Sequence, residues 1–177
     1  EIIDNGYEGE GIAKINDFTI FIPGAIEGER CKILIVKVNK TFAFGKLIEV
    51  TQKSNNRVQT DCSTYKRCGG CSLRHIKYEE TLNIKRENVQ NLVNKTLNKS
   101  VTVNKVIGME SPFYYRNKLQ YPVGKNKNGE PIMGVFANRT HEIIPVENCL
   151  IQNRKAEMVA KRVFEFIKDN EISIYDE

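Results

Sequence analysis

The chain has 177 residues, 40% hydrophobic and 28% charged, with a net charge of +5. That length holds one ordinary domain or two small ones, and the composition excludes a low-complexity chain. No apolar run reaches the about 20 residues of a membrane-spanning helix, and five cysteines, an odd number, argue against a disulfide scaffold and fit a reducing cytoplasm.

Residues 1–52 read as four or five short strands. Gly6, Gly9 and Gly11 mark early turns, and the Gly9-x-Gly11 pair lacks the lysine of a phosphate loop. Phe18–Ile22 is strand-like up to Pro23-Gly24, and Cys31–Val38 and Phe42–Val50 follow. Strands this short and closely spaced predict a small closed β-barrel, since closure removes exposed edges. Charge is unevenly placed along them. Residues 1–29 carry seven acids and one base, Lys14, whereas residues 30–57 carry seven bases and one acid, Glu49. A basic stripe of this kind suits a phosphate-rich partner. Within it Lys37, Lys40, Phe42, Phe44 and Lys46 alternate cations with aromatic faces.

Ser54-Asn55-Asn56 reads as a linker, dividing a first region, 1–56, from a second, 57–177. The second opens on Cys62, Cys68 and Cys71 in a C-x5-C-G-G-C run, with Cys149 far downstream. Three close thiols and one remote one suit a tetrahedral metal such as zinc or an iron–sulfur cluster. Cys31 lies in a strand-like stretch and reads as a structural thiol. From Tyr78 to about Leu97 the period becomes helical, with Tyr78, Leu82, Val89, Leu92, Val93 and Leu97 on one face. Glu79 and Glu80 in its first turn favour the helix dipole.

After Val101–Val106 strands are expected again, at Lys118–Val123 and Ile132–Ala137 around a basic hairpin tip, and at His141–Val146 leading into Cys149. A second helix is predicted over Arg154–Asp169, capped by Asn153. Its buried face would be Ala156, Val159, Ala160, Val163, Phe164 and Ile167. Ile172–Tyr175 is strand-like without a terminator, which suggests a longer parent protein.

Between Ser111 and Gly129 stand four bases, Arg116, Lys118, Lys125 and Lys127, and no acid. Phe113, Tyr114, Tyr115 and Tyr121 interleave with them. Aromatic faces stack bases while cations hold phosphates, the means by which single-stranded RNA is gripped. Arg116 and Lys118 are read as RNA contacts; Phe113 and Tyr121 suit a sheet core equally well. His75 and His141 have no nucleophile beside them. His75 is expected in solvent or on a backbone hydrogen bond, and no glycine-rich cofactor loop is visible.

The blocks Gly9-Glu10-Gly11-Ile12-Ala13, Phe21-Ile22-Pro23-Gly24-Ala25 and Gly28-Glu29 resemble the opening of a TRAM domain, a small RNA-binding β-barrel. Ser54-x-x-Arg57-Val58, the cysteine run, Tyr115-Arg116-Asn117-Lys118 and His141-Glu142-Ile143-Ile144-Pro145-Val146-x-x-Cys149 resemble RNA (uracil-5-)-methyltransferases, especially the 23S ribosomal RNA branch. The resemblance implies an α+β chain: a TRAM/OB-like barrel, then a cysteine loop and part of a central domain with antiparallel strands and two helices. It implies methyl transfer from S-adenosylmethionine to C5 of a uridine, and a [4Fe–4S] cluster on Cys62, Cys68, Cys71 and Cys149. Ribosomal RNA would be the partner, contacted by Lys37, Lys40, Phe42, Phe44, Lys46, Arg57, Arg116 and Lys118. The family's catalytic cysteine and S-adenosylmethionine loop have no counterpart here, so the parent is expected to be an enzyme and this segment alone to be inactive. Because the family packs the 78–97 helix on its methyltransferase domain, the segment is expected to self-associate through that helix or to fold it back onto its own central sheet. The alternative is a zinc-stabilised RNA-binding module without methyltransferase activity.

Overall fold

The computed structural model describes residues 1–97 and 101–175. They fall into two compact units, Glu1–Gln59 with Ser72–Gly108 and Thr60–Cys71 with Met109–Glu177. The fold is α+β.

The first unit carries strands β1 (Asp4–Asn5), β2 (Gly11–Ile15), β3 (Phe18–Ile22), β4 (Arg30–Val38) and β5 (Phe42–Gln52), in the order β1-β2-β3-β5-β4. β2 and β3 form a two-residue hairpin whose tip residues, Asn16 and Asp17, both take positive φ (49° and 63°). A primed turn demands that conformation, and Asn and Asp tolerate it best after glycine. β3 pairs with β5 in parallel, and β5 with β4 in a long antiparallel ribbon with three register shifts. The shifts are bulges, which bend and twist the ribbon. Ile2 N–H donates to the Glu29 carbonyl at 2.8 Å and Gly28 N–H to the Ile2 carbonyl at 2.9 Å, so the two edges of the sheet meet.

Alternation along the strands turns Ala13, Ile20, Ile22 and Ala43 inward, onto Ile2 and Ala25. Gly45 shares that inward parity, and a Cβ there would stand 3.1 Å from Ile33 Cδ1 and 3.3 Å from Ile22 Cγ1. Helix α1 (Tyr78–Thr96) belongs to this same unit, although the linker at 54–56 assigned it to the second region. It buries Thr81 and Ile84, with Ile84 packing on Ile26, Ile76 and Leu73. The expected apolar face is therefore offset: Leu82 is half-buried, while Val89, Leu92 and Leu97 are exposed. Val101–Val106 forms no strand. Its backbone bonds the side chain of Gln90 instead, Val103 N–H donating to Oε1 at 2.8 Å and the Val101 carbonyl accepting from Nε2 at 2.7 Å.

The second unit contains the antiparallel sheet β6 (Val123–Lys125), β7 (Pro131–Phe136) and β8 (Ile143–Pro145), then helix α2 (Arg154–Asp169). The expected strand from Lys118 begins only at Val123, one residue after Pro122, which has no N–H to give a ladder. Gly134 on β7 is obligatory, because a Cβ would lie 1.8 Å from the Ile144 carbonyl oxygen. Asn153 caps α2 as predicted, its side chain accepting from Lys155 N–H and Ala156 N–H at 3.0 and 3.3 Å. The expected apolar face is only partly covered: Val159 and Val163 are exposed, and the residue buried from this helix is Glu157. Ile172–Tyr175 carries no strand.

Candidate nucleic-acid interface and cysteine loop

Strand register assembles a mixed aromatic and basic face on the outside of the first sheet. Residues paired across strands share a face. Ile12, Phe21, Phe44 and Lys37 form one cross-strand row, and Lys14, Thr19 and Phe42 the next. Phe42 and Phe44 stand on the parity opposite Ala43 and Gly45, so they point away from the core, half-buried and packed on each other and Phe21. The three rings pack at centroid distances of 5.5, 5.7 and 6.0 Å, two of the pairs edge-on. Lys14, Lys37, Lys40 and Lys46 are exposed around them. Sequence reading missed Phe21 and Lys14. Phe21 joins only because β3 lies beside β5, two strands later in the chain.

Arg57, expected on RNA, is committed elsewhere. Its Nε and Nη2 donate to the two carboxylate oxygens of Glu29 at 2.5 and 2.7 Å, and Nη2 also reaches the Gly24 carbonyl. Glu29 is 0% exposed and accepts further from Ile26 N–H and Ser54 N–H. Burial pulls its pKa up, but the Arg57 and backbone hydrogen bonds outweigh burial and hold the carboxyl below its ordinary value. His75, expected in solvent or on a backbone hydrogen bond, is buried; burial, then the charge of Arg57, push its pKa down to about 4.

All four candidate ligand cysteines belong to the second unit. The loop 62–71 is ordered by local turns, with Cys68 N–H and Arg67 N–H both donating to the Thr64 carbonyl. It docks beside the end of β7 through the bridge Cys68↔Ala137 and through Asn138 N–H on the Arg67 carbonyl at 2.8 Å. Gly70 N–H donates to Cys68 Sγ at 3.3 Å, and Arg116 Nη2 donates to the Gly70 carbonyl at the same distance. Cys149 is fixed from the other side. Buried Glu157 accepts from Cys149 N–H at 2.9 Å and from the Tyr121 hydroxyl at 3.1 Å. Burial, with the charges of Glu157 and Cys149 beside it, raises the Tyr121 pKa far above the usual tyrosine value.

Cys62, Cys68, Cys71 and Cys149 are all half-buried. Among the described residues no three Cys, His, Asp or Glu side chains stand close enough together to hold a metal ion. The donor chemistry nonetheless fits a soft metal: four thiols, one already accepting a backbone N–H as cluster ligands do. Metal binding commonly draws its ligands together as it occurs.

Comparison with known proteins identifies the sheet just described. Residues 1–48 match the TRAM domain. The chain is 47% identical over 172 residues to an uncharacterized RNA methyltransferase of Clostridium tetani, covering 97% of this chain and 37% of that protein. An uncharacterized RNA methyltransferase of Staphylococcus aureus strain COL is 44% identical over 177 residues, covering 99% and 39%. The chain is a homologue of proteins named RNA methyltransferases. It spans less than two-fifths of the length of these curated relatives. The fold matches the Pyrococcus abyssi tRNA (uracil-54, C5)-methyltransferase, crystallised with S-adenosyl-L-homocysteine, at a TM-score of 0.66 and 20% identity, over 98% of this chain and 37% of that one. No helix among the described residues is long and apolar enough to cross a membrane.

Proposed function

We propose that the chain supplies RNA binding to an S-adenosylmethionine-dependent RNA (uracil-5-)-methyltransferase that modifies C5 of a uridine in 23S ribosomal RNA in the cytoplasm. The observation that carries the binding role is the outward cluster of Phe21, Phe42 and Phe44 flanked by Lys14, Lys37 and Lys46. Outward-facing rings stack unpaired bases while the lysines neutralise phosphates. The methyltransferase context comes from homologues of that name matching nearly all of the chain, and from a structural neighbour crystallised with S-adenosylhomocysteine. Residues 1–177 alone are expected to bind RNA without transferring a methyl group. Cys62, Cys68, Cys71 and Cys149 would hold a [4Fe–4S] cluster, which when bound would cross-link the 62–71 loop to the segment before α2.

Two measurements test this reading. Binding of a single-stranded ribosomal RNA fragment should weaken by orders of magnitude from about 50 to 200 mM salt; salt-independent binding would exclude the lysine face. Mass spectrometry of RNA from cells lacking the parent gene should show loss of a 5-methyluridine from 23S ribosomal RNA, and loss from transfer RNA instead would reassign the substrate. For the cluster, anaerobically purified protein should contain iron and sulfide in near-equal amounts. Stoichiometric zinc would favour a zinc-stabilised module, which four thiols also satisfy.

A further inference from the structure

The second unit contains a cavity of about 810 Å³ apart from the aromatic face, bordered on one side by Cys68 and Gly70 of the cysteine loop. Its size lies within the ordinary range for small-molecule sites. Leu119, Val123, Val135, Phe164 and Ile167 give it an apolar lining, Arg116 and Lys118 line it with cations, and among the described residues no acidic side chain lines it. Gln152 also lines it. That side chain is only 4% exposed, and its Oε1 has no hydrogen-bond partner. Buried side-chain oxygens are almost always satisfied, so an orphan acceptor lining a cavity marks a place for a donor.

The backbone holds this acceptor and the nearest cation in fixed relation. Arg116 and Gln152 form a parallel bridge, with Arg116 N–H on the Ile151 carbonyl at 2.9 Å and Asn153 N–H on the Arg116 carbonyl at 3.2 Å. Asn153 is in turn fixed as the cap of α2. A buried acceptor, apolar walls and two cations without a counter-charge match an unpaired nucleotide: every nucleobase has an N–H edge and two flat apolar faces, and its phosphate needs cations.

We propose that this cavity is a subsite for one unpaired ribonucleotide, its base N–H donating to Gln152 Oε1 and its phosphate held by Arg116 and Lys118. The proposal rests on the RNA-binding reading, but it concerns a different unit from the aromatic face and is tested separately. Isotope-labelled full chain is titrated by NMR with uridine 5′-monophosphate, uridine and inorganic phosphate, and its affinity for octauridylate is measured in parallel. Saturable shifts confined to Arg116–Tyr121 and Gln152 are expected with the nucleotide, with uridine alone still moving Gln152. Gln152→Leu should remove them and weaken octauridylate binding about tenfold. Lys118→Ala, an exposed change that spares the core, should weaken the nucleotide more than the nucleoside.

Octauridylate binding with no nucleotide-induced shift at Gln152 would overturn the subsite and leave the RNA reading standing. Shifts from inorganic phosphate but not from uridine would also overturn it, because the base would then have no part. Nucleotide shifts without octauridylate binding would support the subsite and refute the RNA reading.

Discussion

Arg57→Ala tests how the first unit is tied together. In the native fold a carboxylate that is 0% exposed, Glu29, meets a guanidinium whose side chain is 16% exposed, and the two share a bidentate contact. Truncation leaves Glu29 with two backbone donors and no counter-charge, which costs about 3–5 kcal/mol in comparable buried pairs. For a domain of this size each kcal/mol lowers Tm by about 4–8 °C, so a fall of more than about 12 °C is expected at neutral pH.

The pH dependence sharpens the test. Because the folded pKa of Glu29 is depressed, the stability from the pair is fully present above the unfolded carboxylate value and is lost as pH falls through the folded one. In the variant burial acts with two backbone donors alone, so Glu29 takes up a proton more readily and the penalty shrinks on acidification. His75 moves the same way. Its folded pKa, lowered from 6.5 to about 4, means that the unfolded chain protonates first as pH falls through that window, removing about 3 kcal/mol. Without the Arg57 charge that window narrows. Urea denaturation followed by circular dichroism near pH 7 and near pH 4 measures both effects. A loss below about 1 kcal/mol at neutral pH, the scale of an exposed ion pair, or a penalty that grows in acid, would refute the reasoning.

Phe44→Ala should weaken binding of unpaired RNA by about 1–3 kcal/mol, one stacked base, as read by fluorescence anisotropy; unchanged affinity would remove the aromatic cluster from the interface. Lys37→Ala should flatten the plot of log affinity against log salt by about one unit of slope, and an unaltered slope would count against a phosphate contact there. Glu157→Ala strips Cys149 N–H and the Tyr121 hydroxyl of their acceptor, so metal content after anaerobic purification should fall, while Glu157→Gln, which keeps an acceptor oxygen, should spare it; equal content in both would show that Glu157 does not position Cys149. Leu92, 61% exposed on α1, should tolerate Glu without loss of stability, and Leu92→Glu should abolish self-association in light scattering; a wild-type monomer would refute that contact.

The parts legible in the sequence are those whose cause lies within a few residues. Asn153 caps α2 because its own side chain reaches Lys155 and Ala156, and the strand limits near Phe18, Ile22, Val38 and Phe42 follow from alternation broken by turn residues. The parity that turns Phe42 and Phe44 outward is local in the same sense. Partners far away in the chain were not legible. Arg57 stands in a basic stretch and resembles any solvated cation until Glu29, 28 residues earlier, is placed beside it. On α1 the period identified a helix but not the covered side, because apolar residues occur on more than one stripe and Ile26 and Ile76 select Ile84. Glu157 inverts the usual rule, since a carboxylate is buried in a helix whose valines face water. The Cys149 backbone N–H and the Tyr121 hydroxyl, both outside the helix, hydrogen-bond to that carboxylate. The cysteine frame shows the same division: its C-x5-C-x2-C spacing is a local fact, whereas convergence with Cys149 requires the loop, β7 and the start of α2 to meet. Burial of a charged or polar group is therefore where tertiary structure adds most to this sequence, and Glu29, His75, Gln152 and Glu157 are among the positions where it does so.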